Sequence, residues 1–524
     1  MKQKPPSGKY ILVIDVGTQS IRASFIDLDG NIVEIERTHI EAYFSKQPGY
    51  AEQDADYFWD KLCETTKLLF KNTNLDVKLI AGMSLTTQRG TVVNLDKTGK
   101  PLRPAIIWLD QRKAKVDLWP KGIVKTGLQI TGLYESVTYA IKEGESNWIR
   151  QNQPDVWEKT DKYLMLSGFL ISRLSGDFVD STGSMVGYIP FNYKNHEYSK
   201  TSSINYKMFP VEKEKLARLV YPSEKIGKIT PEASRQTGIP EGLTIIAAAS
   251  DKACEVLGSG VISPEIACLS YGTTATIQTV NPKYLEVIKM FPSYPSAIPH
   301  YFNTEVMIYR GYWMIKWFKN EFGYREVEEA KKLKKEPEEL FDKMIDDIPP
   351  GSMGLTLQPY WTPGVKLPGI EAKGAVIGFG DVHTRAHLYR SILEGIAYAL
   401  KEGTLKTEKT TGVKVEKIRV SGGGSQSKNA LQLTADIFNL PVEKPHTYET
   451  SALGAAINAA VGLGFYKDFE TAIGKMCRIG ETYHPIPKNV KVYNQLFNQV
   501  YSKMYKRLKP LYNDIRDIIN YPKK

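Results

Sequence analysis

Cysteine is scarce: the chain of 524 residues has four. Cys63, Cys254, Cys268 and Cys477 form no CxxC pair and show no metal-site spacing. This argues against a disulfide framework or a zinc ribbon and predicts free, buried thiols in a reducing cytoplasm. No apolar run comes near the ~18 residues of a membrane span. The opening residues, MKQKPPSGKY, lack the apolar stretch of a signal peptide. Also missing are a GxxxxGK[ST] pattern, which disfavours a P-loop fold, a short repeat period and a long low-complexity linker. Histidine is rare, and His39, His196, His300, His383, His387, His446 and His484 show no ligand spacing except His383 and His387 at i, i+4. That pair reads as helix-surface or packing residues rather than a metal site.

What is present is ordinary for a soluble globular protein, with 42% hydrophobic and 24% charged residues. Lys plus Arg exceed Asp plus Glu by 11, which raises the question of a nucleic-acid partner. The charges are dispersed, however. EEAKKLKKEPEEL (328–340) mixes both signs as a solvated helix face does. The basic stretch YSKMYKRLKPLY (501–512) has helical spacing, and reads as a surface helix or a docking surface for an acidic partner. The expectation is no nucleic-acid and no membrane partner.

The chain is too long for one core. ILVIDV (11–16) reads as a strand, SIRASFID (20–27) as its hairpin partner across a Gly-Thr turn, and NIVEIERTHI (31–40) as a third strand. ADYFWDKLCETTKLLFKNT (55–73) carries Phe58, Leu62, Leu68 and Leu69 at helical spacing, and 77–87 returns to a strand. The order suits a mixed sheet flanked by helices. A related pattern recurs at 245–280: a small-residue strand, an aspartate, a helix, then IACLSYGTTATIQTV with a second Gly-Thr turn. VGTQS (16–20) and YGTTA (271–275) look like one device used twice. Two homologous halves are expected, dividing near 255–262 into domains at 8–257 and 258–524.

Three features point to phosphate chemistry, and each also has a plainer reading. Asp15 ends a strand, where open α/β sheets place ligands. The turn at Gly17, with Thr18, Gln19 and Ser20, offers donors to phosphate oxygens. Asp15 would repel phosphates unless Mg²⁺ intervened, held through water; otherwise the stretch is a plain hairpin. IRVSGGGSQSKNALQLTADIFN (418–439) runs from strand to Gly triplet to helix. Gly422, Gly423 and Gly424 could let a flat nucleotide reach the backbone, or form a flexible turn. Asp251 lies between small residues and a helix, as a site residue or a helix N-cap.

Together these are the parts of the actin-like ATPase superfamily, and the sequence from about 10 to about 480 resembles the FGGY family of carbohydrate kinases. GYAEQDADYFW (49–59), MSLTTQRGTVVNLDKTGKPLRPAIIWLDQR (83–112), GAVIGFGDVHTRAHLYRSILEG (374–395) and the stretch 420–464 carry the likeness. The resemblance implies an α/β fold of two actin-like (ribonuclease H-like) domains of related topology, with the ATP site in the cleft between them. It implies ATP-dependent phosphorylation of a sugar or polyol hydroxyl, with ATP and Mg²⁺ as cofactors. Asp251 matches the catalytic base and a substrate contact. Asp15 matches the Mg²⁺-phosphate aspartate; Thr18, Gln19 and Arg22 match the phosphate hairpin. Gly272 and Thr273 match the second hairpin, and Gly423 and Gly424 the adenine-site glycines. Gln88, Arg89 and Asp110 lie in the stretch that supplies substrate contacts, with Trp108, Tyr134 and Tyr139 as candidate walls. Family members are often dimers or tetramers.

Two positions depart from the family. Gly90 stands where the glycerol kinases, the most similar branch at TTQRGTVVNLDKTGKPL, carry Glu, and Lys252 stands where Gln usually follows the base. The Met-His-Gly of xylulokinases is absent. A ketopentose or a glycerol-like polyol is the expected substrate. The departures motivate one alternative, a non-catalytic actin-like ATP-binding sensor or scaffold.

Overall fold

A computed structural model describes residues 9–117, 119–362 and 368–520; the first eight residues, part of the stretch read above for a signal peptide, lie outside them. The chain forms two compact units. One comprises the chain to Ile262 with Val280–Asn303 and Glu449–Arg478; the other comprises Ser263–Thr279, Thr304–Tyr448 and the chain from Ile479.

The first unit is built on a six-stranded sheet: β1 (Tyr10–Val16), β2 (Ser20–Asp27), β3 (Ile32–His39), β4 (Ile80–Thr87), β5 (Lys225–Lys228) and β6 (Thr244–Ala247), in the order β5-β6-β4-β1-β2-β3. β1 and β2 are antiparallel, as are β2 and β3, while β1, β4 and β6 run parallel. Burial explains the order. β1 and β4 are almost wholly buried, as central parallel strands are. β3 alternates between half-buried and exposed residues, as an edge strand with one wet face does. The helix Ala55–Asn72 turns Phe58, Trp59, Leu62 and Leu69 inward.

The second unit repeats the plan. β7 (Ile266–Tyr271), β8 (Ala275–Asn281), β9 (Phe302–Ile308), β10 (Lys417–Ser421), β11 (Val442–Pro445) and β12 (Ile479–Tyr483) lie in the order β9-β8-β7-β10-β11-β12. β7 and β8 are antiparallel, β7, β10 and β11 are parallel, and β12 is an antiparallel edge. Hairpin, two parallel neighbours and an antiparallel edge therefore occur in both sheets, as related topology requires.

The two segments read as helical faces are more structured than their charge suggests. EEAKKLKKEPEEL breaks between the helices Tyr324–Leu333 and Pro337–Met344. Lys334 is left-handed there, at φ 53°, and Pro337 opens the second helix, where its missing N–H costs nothing. In the helix Ser502–Ile519, Met504 and Tyr512 are buried, and the Tyr512 hydroxyl donates to Gln358 Oε1 at 2.8 Å. Lys503, Lys506, Arg507 and Lys509 stay exposed, as on a surface helix. The four cysteines are free thiols, three buried and Cys477 half-buried. His387 caps the helix Arg385–Thr411 together with Thr384, a packing role. Among the described residues no helix is long and apolar enough to cross a membrane.

Candidate active site

In the first unit, the C-terminal ends of three parallel strands deliver most of the predicted residues to one sheet edge. β1 brings Asp15 and leads to Thr18, β4 leads to Gln88 and Arg89, and β6 leads to Asp251. This is the edge at which α/β sheets bind ligands.

Asp15 is buried, and Arg22 Nη1 lies 3.1 Å from its Oδ2. The two are register partners across the hairpin. Burial pushes the Asp15 carboxyl up to about 6; Arg22 opposes the shift, and the charges of Asp251 and Glu449 add to it. Thr18 donates its hydroxyl to Gln88 Oε1 at 2.9 Å and accepts from Trp108 Nε1 at 3.0 Å. Gln88 is buried, and its Nε2 has no hydrogen-bond partner among the described residues. It remains a donor at the strand edge. Gln19 is exposed, and its carbonyl accepts from Ile40 N at 3.0 Å.

Asp251 begins the helix Asp251–Gly258, whose N-cap is Ser250. The N-cap reading of Asp251 is thereby corrected: its Oδ1 accepts from the adjacent amide of Lys252, at 2.8 Å, rather than from an amide a turn further along. Burial raises its carboxyl, opposed by Arg89 and Lys252. Lys252 Nζ pairs with Glu255 Oε2 at 2.8 Å. The Arg89 guanidinium lies 5.4 Å from the Tyr294 ring centroid, so Tyr294 supplies an aromatic face to Arg89 that sequence spacing did not single out.

The helix carrying Asp251 is fixed by close backbone contact with the helix Thr450–Gly462. A Cβ added at Gly258 would stand 1.9 Å from Thr450 O, and one at Gly454 would stand 1.9 Å from Cys254 O. Ser451 Oγ also donates to Asp251 O at 3.2 Å.

Other candidates are engaged elsewhere. The Asp110 carboxylate accepts from Ala51 N at 2.6 Å, from Arg112 Nε at 2.8 Å and from Arg112 Nη2 at 2.7 Å. Arg112 lies against the rings of Tyr50 and Trp148 and shares Glu52 with Arg103. Asp110 thus anchors a buried ionic network, which its sequence position did not reveal. Tyr134 and Tyr139 lie half-buried on the helix Tyr134–Glu143, beneath Lys125 and Lys113. Gly90 has φ +60°, a left-handed backbone that favours glycine over the glutamate of the resembling branch.

In the second unit, β7 leads to Gly272 and Thr273, and β10 leads to the glycine triplet. Gly272 N donates to Thr274 O at 3.2 Å, closing the turn. The carbonyls of Gly272 and Thr273 accept from the amides of Tyr312 and Trp313. A Cβ at Gly422, φ +78°, would lie 2.9 Å from Tyr271 O, and one at Gly424 would lie 2.3 Å from the Tyr312 ring. Those two glycines are required by the chain's own packing against the stacked Tyr271 and Tyr312. Gly423 alone has open space over its α-carbon, so it is the glycine that leaves room for a flat ligand.

The residues present fit Mg²⁺ and a nucleotide. Asp15 and Thr18 offer the hard oxygen donors Mg²⁺ prefers, and the buried Asp15 carboxyl lies in the field of two further carboxylates. Among the described residues no group of three or more His, Cys, Asp or Glu could hold a metal. An ion here would complete its shell with water and phosphate oxygens.

Comparison with known proteins agrees with this geometry. The model of the N-terminal domain of the FGGY family of carbohydrate kinases matches residues 10–258, and that of the C-terminal domain matches 267–463. The chain is 30% identical over 508 residues to the uncharacterized sugar kinase YgcE of Escherichia coli K12, covering 95% of this chain and 94% of that protein. It is 28% identical to a xylulose kinase of Staphylococcus epidermidis, covering 98% and 99% of the two chains. The fold matches the ligand-bound xylulose kinase structure from Lactobacillus acidophilus with a TM-score of 0.78 at 22% identity, over 98% of this chain and 99% of that one. The chain belongs to the FGGY family of carbohydrate kinases, enzymes that phosphorylate a sugar or polyol with ATP.

Proposed function

We propose that this kinase transfers the ATP γ-phosphate to a hydroxyl of a ketopentose or a glycerol-like polyol, with Asp251 as general base. The observation that carries the reading is the convergence of Asp15, Gln88, Arg89 and Asp251 at the ends of three parallel strands. Phosphoryl transfer asks mainly for positioning and charge neutralisation. Asp251 would accept the proton of the attacking hydroxyl. Arg89, near Asp251, would donate to neighbouring substrate hydroxyls, and Gln88 Nε2 is a further donor beside them. Asp110 contributes indirectly on this reading, by holding Arg112. Thr18, Gln19 and Arg22, with Gly272 and Thr273, would hold the phosphate tail, and Gly423 and Gly424 the adenine. Asp15 would hold Mg²⁺ through water, and the ion when bound offsets charge on the phosphates. The same proposal divides the chain into homologous halves at 257/258, sets the enzyme in the cytoplasm as a homodimer or homotetramer, and gives it no nucleic-acid or membrane partner.

The test is ADP release over a panel of glycerol, erythritol, the D- and L-forms of ribulose and xylulose, L-fuculose, L-rhamnulose and gluconate, for wild type and Asp251→Asn. One preferred ketopentose or polyol is expected, with turnover lowered roughly 10²–10⁴-fold in the variant. Mg·ATP binding without stimulation by any compound would instead favour the non-catalytic sensor. A preference for gluconate would move the substrate class to sugar acids.

A further inference from the structure

Glu449 stands outside every candidate set above, yet it closes an ionic row across the first sheet. Asp15 and Arg22 are register partners between β1 and β2, and Arg22 and Arg37 are register partners between β2 and β3. The three side chains therefore stand side by side on neighbouring strands. Two adjacent guanidinium groups repel each other there. Glu449, whose side chain is 6% exposed, answers both: its Oε1 lies 2.7 Å from Arg37 Nη2 and 3.3 Å from Arg22 Nε. Arg22 thus has the Glu449 carboxylate 3.3 Å from its Nε as an ion-pair partner, without a hydrogen bond at that nitrogen among the described residues, and presents Nη1 to Asp15 Oδ2. The residue comes from far along the chain. It immediately precedes the helix Thr450–Gly462, in the Glu449–Arg478 segment that folds with the first unit.

We propose that Glu449 is a positioning residue: by holding the Arg22 guanidinium beside Asp15 through its charge, it fixes the Asp15 carboxylate in the orientation that receives the Mg²⁺-phosphate group. The inference rests on the role proposed above for Asp15. An arginine side chain has many rotamers, and carboxylates on two sides of its guanidinium, Asp15 at Nη1 and Glu449 near Nε, favour those that aim Nη1 at Asp15. Without the carboxylate, Arg22 and Arg37 would separate, and the direction of Asp15 would be set by Arg22 alone.

The experiment measures calorimetric affinity for ADP, with Mg²⁺ and with chelator, in Glu449→Gln, Arg37→Ala, Arg22→Ala and the Arg22→Ala/Glu449→Gln double variant, each checked for its melting temperature. Glu449→Gln should weaken Mg·ADP binding about 10-fold, the usual scale for groups that orient a metal's ligands. Metal-free ADP binding and the KM for the sugar should stay within about 2-fold of wild type on the same reasoning. Arg37→Ala removes the other partner of Glu449 and should leave Mg·ADP affinity close to wild type. In the Arg22→Ala background, Glu449→Gln should add nothing. Three results would overturn the proposal: Arg37→Ala matching Glu449→Gln, equal losses with and without Mg²⁺, or full additivity with Arg22→Ala. If Glu449→Gln melts early, the Arg37→Ala comparison and the double variant still decide. A wild type that binds Mg·ADP yet phosphorylates nothing would sink the kinase mechanism while leaving this test intact.

Discussion

The two Gly-Thr hairpins share a backbone plan and differ in charge. In the first, Val16 pairs with Ile21, and Asp15 faces Arg22. In the second, Tyr271 pairs with Ala275, one loop residue fewer, and Ser270 faces Thr276. An ion pair between buried Asp15 and half-buried Arg22 in one copy is matched by two hydroxyls in the other. A duplicated hairpin thus needs only its turn and strands to fold. The charged pair is an addition whose desolvation costs stability, which points to a use for it beyond folding. On the proposed function, the first hairpin would serve the metal and the phosphate with a charged pair, and the second would serve the phosphate tail without one.

The strongest way to break that comparison is to neutralise each hairpin. Asp15→Asn should lower turnover by roughly 10²–10³-fold, the range for losing one preorganised electrostatic group. Ser270→Ala should cost no more than about 3-fold, since it removes no charge from the developing phosphate. Steady-state kinetics on both variants decides. Equal losses would mean that the two hairpins are chemically equivalent.

A second contrast concerns glycines. A Cβ added at Gly454 in the first unit would meet backbone at 1.9 Å, whereas one added at Gly423 in the second would meet nothing within 4 Å. Gly454→Ala must push the helix Thr450–Gly462 away from the helix that carries Asp251, so a loss of about 1–3 kcal/mol is expected. Gly423→Ala should stay within about 0.5 kcal/mol of wild type while raising the KM for ATP. Thermal melting and ATP titration separate the two. A stable Gly454→Ala with normal turnover would show that the helix contact is not needed to place the base.

Much of this was legible in the sequence because it is local. Strand–turn–strand patterns, Asp15 at a strand end and a strand running into three glycines are short-range signals, and β1–β4 and both hairpins stand where they were expected. Three things were not legible, each for a reason of distance. The helix Thr450–Gly462 folds with the first unit, and no local pattern carries that. Glu449 matters only because β2 and β3 place two arginines side by side some four hundred residues earlier. Asp110 was expected as a substrate contact from its type and family position; that it also accepts from Ala51 N, 59 residues earlier, shows only in the packing. The glycine triplet was half legible: its flexibility was visible, but that Gly422 and Gly424 serve Tyr271 and Tyr312 was not.

The smallest expected effect compares buried carboxylates in the two units. In the second, Glu394 is answered by Arg390 Nε at 3.0 Å, the Tyr493 hydroxyl at 2.8 Å, Gly351 N at 2.9 Å and Ser352 Oγ at 2.9 Å. In the first, Glu145 Oε2 has no hydrogen-bond partner among the described residues. Burial, with the charges of Glu143 and Asp110, pushes its carboxyl up to about 8, against its own amide and Arg112. A carboxyl raised in the folded state binds its proton more tightly there than in the unfolded chain. Its contribution to stability is therefore complete below the ordinary carboxylate range and is lost as pH rises through about 8. Glu145→Gln keeps the shape and removes the titration. Its melting temperature should match wild type near pH 5 and exceed it by roughly a few °C near pH 8.5. Glu394→Gln should instead melt lower across the range, because the amide cannot accept from all four donors. Parallel pH curves for wild type and Glu145→Gln would mean that Glu145 is solvated in solution, and the contrast between satisfied and unsatisfied carboxylates would fall with it.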